Sequence, residues 1–178
     1  IEVTGVTDPR NSDDVTVTFY RSVDQFALDG SGRPVPFSSY NIDMDGVAPR
    51  YGDSLKGAIK DGVLTTQRGD VRLPFYGNYN FMRPAVKAMN LRLEIAADGA
   101  TAEGLISGYY NIDEFLYYVG GMVGHTSTAD DCPAMYVAAH KLADGYPDPA
   151  TGQCTHLSSA FEIGAYAAFI IHPEGRTE

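Results

Sequence analysis

The stretch DDCPAMYVAAHKLADGYPDPATGQCTHLSS, residues 130–159, holds both cysteines of the chain and two of its four histidines. Cys132, His140, Cys154 and His156 are the residue types of a Cys2His2 zinc site, of a cysteine nucleophile with a histidine base, or of a disulfide with two bystanders. Spacing decides among them. Cys132 and His140 stand eight residues apart on one predicted helix. That is about 12 Å along the axis, whereas zinc ligands converge to about 2.0–2.3 Å from one ion. No metal is therefore expected here. A Cys132–Cys154 disulfide closes a loop of 22 residues, a constraint of about 3 kcal/mol in the chain-entropy model. It would tie the start of a helix to the start of the last strand, and it is the expected arrangement. A catalytic Cys154 beside His156 needs an extended chain between them.

NIDMDG (41–46) offers a second chemistry. Oxygen-bearing side chains at Asn41, Asp43 and Asp45, alternate positions before Gly46, match the first half of a calcium loop. The twelfth position, a bidentate Glu in such loops, is Gly52 here, with Asp53 next. Calcium held in another, extracellular style is what the motif allows; the alternative is a plain acidic turn. No other cofactor is expected, because CxxCH, HExxH, GxSxG and a phosphate-cradling Gly loop are all missing.

Residues 52–55 read GDSL, and GNYN (77–80) and HPEG (172–175) follow in that order. These blocks resemble those of the GDSL (SGNH) ester hydrolases. The resemblance implies Ser54 as nucleophile, an Asn from GNYN, and His172 as base. It covers about a dozen residues. Phe169 stands where the Asp that orients the histidine would be. Apart from the resemblance, Gly52-Asp53-Ser54 is a turn leading into a strand.

Twelve tyrosines and no tryptophan are present. Tyr76, Tyr79, Tyr109, Tyr110, Tyr117 and Tyr118 form clusters suited to a protein or glycan surface, since a tyrosine ring packs while its hydroxyl stays wet. Sugar platforms more often use Trp.

The elements that must carry these residues are mostly strands. DDVTVTFY alternates Val15, Val17 and Phe19 against polar neighbours, the period-two pattern of a half-buried strand. VPFSSYNI (35–42) is β-rich. LKGAIKDGVLTT places Asp61-Gly62 between two extended runs, a tight hairpin signal. In VRLPFYG, Val71, Leu73 and Phe75 share a face, with Pro74 marking an edge. Leu91, Leu93 and Ile95 alternate before Asp98-Gly99 turns the chain.

Then the period changes. Ile112, Phe115, Leu116 and Val119 form a helical stripe, with Asn111 as N-cap and Glu114 completing a capping box. Gly120-Gly121 is expected to stop that helix. A second helix is predicted from Cys132 to Asp144, ended by Gly145. LSSAFEIGAYAAFII reads as one long apolar strand, expected to be central. The fold class is therefore mainly β: an antiparallel β-sandwich or barrel of about eight strands, with a two-helix insertion before the last strand. Residues 1–178 are read as a single β-sandwich-like domain, with the helical excursion at about 111–154.

The formal charge is −10, with acidic residues spread along the chain. Phosphate backbones bind clustered Lys and Arg, so no nucleic acid partner is expected. No apolar run reaches the length of a membrane span. The start at Ile1, with no signal-peptide layout, and the paired cysteines lead to the expectation of a processed, extracytoplasmic chain, periplasmic or secreted. The function expected first is a non-catalytic binding or assembly module, an accessory subunit or a domain of a larger secreted protein, with a protein or a glycan as partner. The alternatives are a GDSL-type ester hydrolase using Ser54 and His172, and a calcium-dependent carbohydrate-binding domain.

Overall fold

The computed structural model describes residues 1–77, 80–123 and 132–172. In chain order its elements are β1 (Glu2–Thr4), β2 (Ser12–Phe19), β3 (Ser38–Asn41), β4 (Met44–Asp45), β5 (Ala48–Pro49), β6 (Asp53–Lys60), β7 (Val63–Thr66) and β8 (Gly69–Arg72). There follow β9 (Phe75–Gly77), β10 (Asn80–Met82), β11 (Ala85–Ile95), β12 (Thr101–Asn111), α1 (Ile112–Val123), α2 (Cys132–Leu142), β13 (Gly145–Pro147), β14 (Cys154–Tyr166) and β15 (Ala168–Ile171).

Nine strands form one antiparallel sheet in the order β1-β2-β6-β7-β11-β12-β14-β13, with β8 also paired to β11. The mainly β class read from the sequence holds, and the sheet with two helices is consistent with a sandwich- or barrel-like fold. β9–β10, β15–β3 and β4–β5 are separate two-stranded pairs.

Contacts divide the chain into two compact units. The first comprises Ile1–Arg68, Asn90–Ile106 and residues from Phe161 onward. Val15, Val17 and Phe19 on β2 and Leu91 and Leu93 on β11, which the alternation picks out, are buried in it, together with Leu55 and Ile59 on β6, Ile42, Leu64 and Ile106; Ile95 is only half-buried. Asp61 (φ 51°) and Gly62 (φ 81°) both adopt left-handed backbone, the tight hairpin turn expected between β6 and β7.

The long apolar run near the C-terminus departs from expectation. It divides at Ala167, whose N–H donates to the Ala100 carbonyl and whose carbonyl accepts from the Phe37 N–H. These bonds turn the chain out of the main sheet, and β15 pairs in parallel with β3. Phe169 and Ile171 on β15 are exposed rather than central, and so is Phe161 on β14 within the main sheet. Apolarity gave the strands their length, while burial depended on partners far away in sequence.

The second unit comprises Gly69–Met89 and Ser107–Ala160. Val71, Met82, Val86, Met89, Tyr110 and Ile112 are buried in it. Asn111 caps α1 as predicted, its Oδ1 accepting the Glu114 N–H at 3.0 Å. Glu114 does not close a capping box, however. Its carboxylate accepts the Ala85 N–H at 3.0 Å and lies 3.4 Å from Arg72. The helix also runs through Gly120-Gly121 to Val123 instead of stopping there. Glycine costs a helix about 1 kcal/mol without forbidding its backbone angles. The second helix ends at Leu142, two residues before the expected Asp144.

Candidate functional site

Ser54 sits at the start of β6 and pairs across the sheet with Thr18, their hydroxyls 2.9 Å apart. His172 follows β15; its Nε2 lies 2.7 Å from Glu2 and its ring stands edge-on to Tyr20. The structure forms no hydrogen bond between Ser54 and His172, and each has its own partner. Asn78 and Tyr79 of the GNYN block, and Pro173 onward in HPEG, lie outside the described residues.

The acidic motif is a fastened hairpin. Asp43 is buried, and its two carboxylate oxygens take Arg21 at 2.8 Å and Arg50 at 3.3 Å. Arg50 also reaches Asp45 at 3.4 Å, and Asn41 turns instead to Asp24. The hydrogen bond to Asp43 raises the Arg50 guanidinium above its ordinary range. Asn41, Asp43 and Asp45 are thus each committed to a protein partner. Among the described residues no group of three or more metal-ligating side chains gathers.

Cys154, half-buried at the head of β14, is a free thiol. The expected Cys132–Cys154 disulfide is not formed in this structure, and the Cys132 side chain lies outside the described residues. The return loop is fixed by other means. The β13–β14 ladder sets Pro147 opposite Cys154, and the Asp144 carboxylate receives both the N–H and the hydroxyl of Ser158.

The tyrosines separate into different environments. Tyr110 is 8% exposed and its hydroxyl pKa is pushed up to about 12 by burial, so it belongs to the core. Tyr117 is exposed on α1, its ring edge-on to Tyr118. Tyr76 lies on β9, and its side chain is outside the described set, as is Tyr79. Tyr109 alone joins a larger group of polar and aromatic residues.

That group lies in the second unit. The Tyr109 ring stands edge-on to Tyr146 at 5.4 Å, and Tyr146 in turn tilts over His156 at 4.8 Å. The Thr155 hydroxyl donates to the Tyr146 carbonyl at 2.7 Å, which uses its only proton. At 2.8 Å it must then accept from His156 Nδ1–H. This fixes the tautomer, leaving a lone pair on Nε2. Nε2 makes no hydrogen bond among the described residues and is not sealed from solvent. Burial, then the charge of Lys87, lowers the His156 pKa, so the ring is neutral at neutral pH.

Lys87 is held by Asp70 at 2.5 Å, and the other oxygen of Asp70 accepts the Ala88 N–H at 3.0 Å. Ala88 sits at φ 47° where the β8–β11 register shifts between Val86 and Met89, a bulge. The hydrogen bonds from Lys87 and Ala88 hold the Asp70 carboxyl below its usual range. What the arrangement provides chemically is a fixed hydrogen-bond acceptor between aromatic faces, beside a neutralised charge pair.

The sequence marked Tyr109 and His156 but not Tyr146, Lys87 or Asp70 as one group. A bulge and a left-handed tyrosine bring them together, and neither has a periodic signature.

A second surface lies in the first unit. Phe26, Phe37 and Phe169 are 68%, 54% and 60% exposed. Phe37 and Phe169 face each other with centroids 6.4 Å apart, and Phe26 stands 6.0 Å from Tyr40. Phe37 is held at φ 61°, a conformation that a bulky residue adopts only under constraint.

Comparison with family models, curated proteins and solved structures returned no match for this chain.

Proposed function

We propose that this chain is a non-catalytic binding or assembly module that engages a protein partner through the aromatic surface of Phe26, Phe37 and Phe169. The observation that carries this reading is Phe37: a bulky ring kept in a left-handed backbone conformation and still left in solvent. Isolated exposed apolar residues are ordinary. Here three phenylalanines lie in neighbouring segments, two of them in ring contact across the β3–β15 region. Strain of about 1–3 kcal/mol persists where the surroundings enforce it, and it gathers at sites of use. Buried aromatic anchors are also the residues that dominate protein interfaces.

The test is site-specific photocrosslinking in the cell that makes the protein, with p-benzoylphenylalanine at residue 37 and, as control, at Thr65 on the exposed side of β7. The expected result is a discrete adduct from residue 37 alone, lost when Phe26 and Phe169 are both changed to Ser. No adduct at residue 37, or equal adducts at both positions, would overturn the reading.

A further inference from the structure

Among the described residues, four that are not glycine hold a left-handed backbone: Phe37, Asp61, Ala88 and Tyr146. Asp61 is accounted for by its hairpin turn, and Phe37 by the surface above. Ala88 and Tyr146 remain, and both bear on the group around His156. We infer that Tyr109, Tyr146 and His156, with Lys87 and Asp70, form a binding site for a neutral sugar ring.

The argument begins with Tyr146. Its positive φ (52°) lies on an edge strand, β13, between two residues that pair with β14. In regular extended backbone the ring would follow the pleat. The left-handed turn instead lays it across His156 and against Tyr109. Residue 145 takes part as well, because the Tyr109 ring fills the space a β-carbon would need there. The rings are thus set by backbone features specific to these positions. Tyr146 keeps 42% of its surface in solvent.

Charge selects the class of ligand. A cation on these ring faces would meet the Lys87 ammonium, whose charge already acts on both Tyr146 and His156. An anion would meet Asp70 and Glu114, whose charges also reach His156. The Lys87–Asp70 pair is internally neutralised and remains partly exposed. It therefore offers donors and acceptors without net charge. His156 adds a single acceptor of fixed direction, Nε2, which only a donor such as a hydroxyl satisfies. The C–H bonds on one face of a pyranose carry partial positive charge and pack on the electron-rich faces of tyrosine. An uncharged, hydroxyl-rich ring fits all of these features, and it does so without metal and without tryptophan.

The experiment is saturation-transfer NMR on the whole chain. The probes are methyl glucoside, methyl galactoside, methyl mannoside and N-acetylglucosamine, with choline and glucuronate as charged comparators. At least one neutral sugar is expected to receive saturation from the aromatic protons and to shift the His156 ring resonances, with a dissociation constant of about 1 mM. Tyr146→Leu and His156→Ala are each expected to weaken that binding about tenfold or more, whereas Tyr117→Ala on α1 leaves it unchanged. Circular dichroism of each variant separates loss of binding from loss of fold. The inference is overturned if no neutral sugar binds, if choline or glucuronate binds in preference, or if binding survives both substitutions in folded protein. Crosslinking at residue 37 is independent of every one of these outcomes.

Discussion

The ring of Tyr109 rests on the bare α-carbon of Gly145: an ideal β-carbon at residue 145 would come within 2.6 Å of two ring atoms. No carbon pair tolerates that separation, so any side chain at 145 has to displace the ring or the edge strand. Gly145→Ala is expected to cost about 1–3 kcal/mol, the range for overpacking. It should also move the Tyr109 and Tyr146 resonances together. Urea unfolding monitored by fluorescence measures the first effect and NMR the second; stability within about 0.5 kcal/mol of wild type would mean that the two residues do not touch.

Asp43 is the acceptor for two arginines, and its side chain is 10% exposed. Asp43→Ala leaves two guanidinium groups without their shared carboxylate. Hydrogen bonds to charged groups contribute about 1.5–3 kcal/mol, and the partial exposure of both arginines puts the expected loss at the lower end. Calcium would have to displace both cations to reach the same oxygens. Added Ca²⁺ or EDTA should therefore leave the melting temperature unchanged. A rise with Ca²⁺ that Asp43→Ala abolishes would restore the metal reading.

Much of the first unit was legible because its signals are local. Val15, Val17 and Phe19 alternate because one face of β2 is buried, and Asp61-Gly62 supplies the angles a two-residue hairpin needs. Asn111 announces a helix start for a similar reason: an N-cap acts on an N–H three residues ahead. What stayed hidden depends on pairing over long separations. Nothing near Ala168 indicates that β15 will lie parallel to β3, so Phe169 read as core rather than surface. Nor does the chain around Lys87 advertise a bulge. The Glu114 carboxylate is instructive in this respect, because its spacing from Asn111 suits a capping box, yet it serves the Ala85 N–H on another strand. Local propensity named the helix start correctly and named the wrong partner.

The free thiol of Cys154 makes the role of Cys132 testable. A disulfide closing 22 residues would contribute about 3 kcal/mol through the unfolded state. Without it, Cys132→Ser is expected to cost well under the about 3 kcal/mol that losing such a bond would cost. Intact mass after denaturing alkylation without reductant should show two adducts. A mass two protons lighter than the free dithiol, with no adduct, would show the bond.

His156 gives the unit around it a pH dependence whose sign follows from its surroundings. Burial, then Lys87, lowers its pKa in the folded chain relative to the unfolded one. Between the folded value and the unfolded value of about 6.5, the unfolded chain binds more protons. Stability from this group is accordingly full above about pH 6.5 and is lost as pH falls through the folded value. The ligand would follow the same direction, since protonation turns Nε2 from acceptor to donor and adds a cation beside Lys87. His156→Gln keeps an amide able to accept but does not titrate. Urea unfolding of both proteins from pH 7.5 down to pH 5 should show wild type losing stability faster than the variant, the gap opening below about pH 6.5. Parallel curves over that range would mean that His156 titrates alike in both states and that the surroundings do not disfavour its charged form.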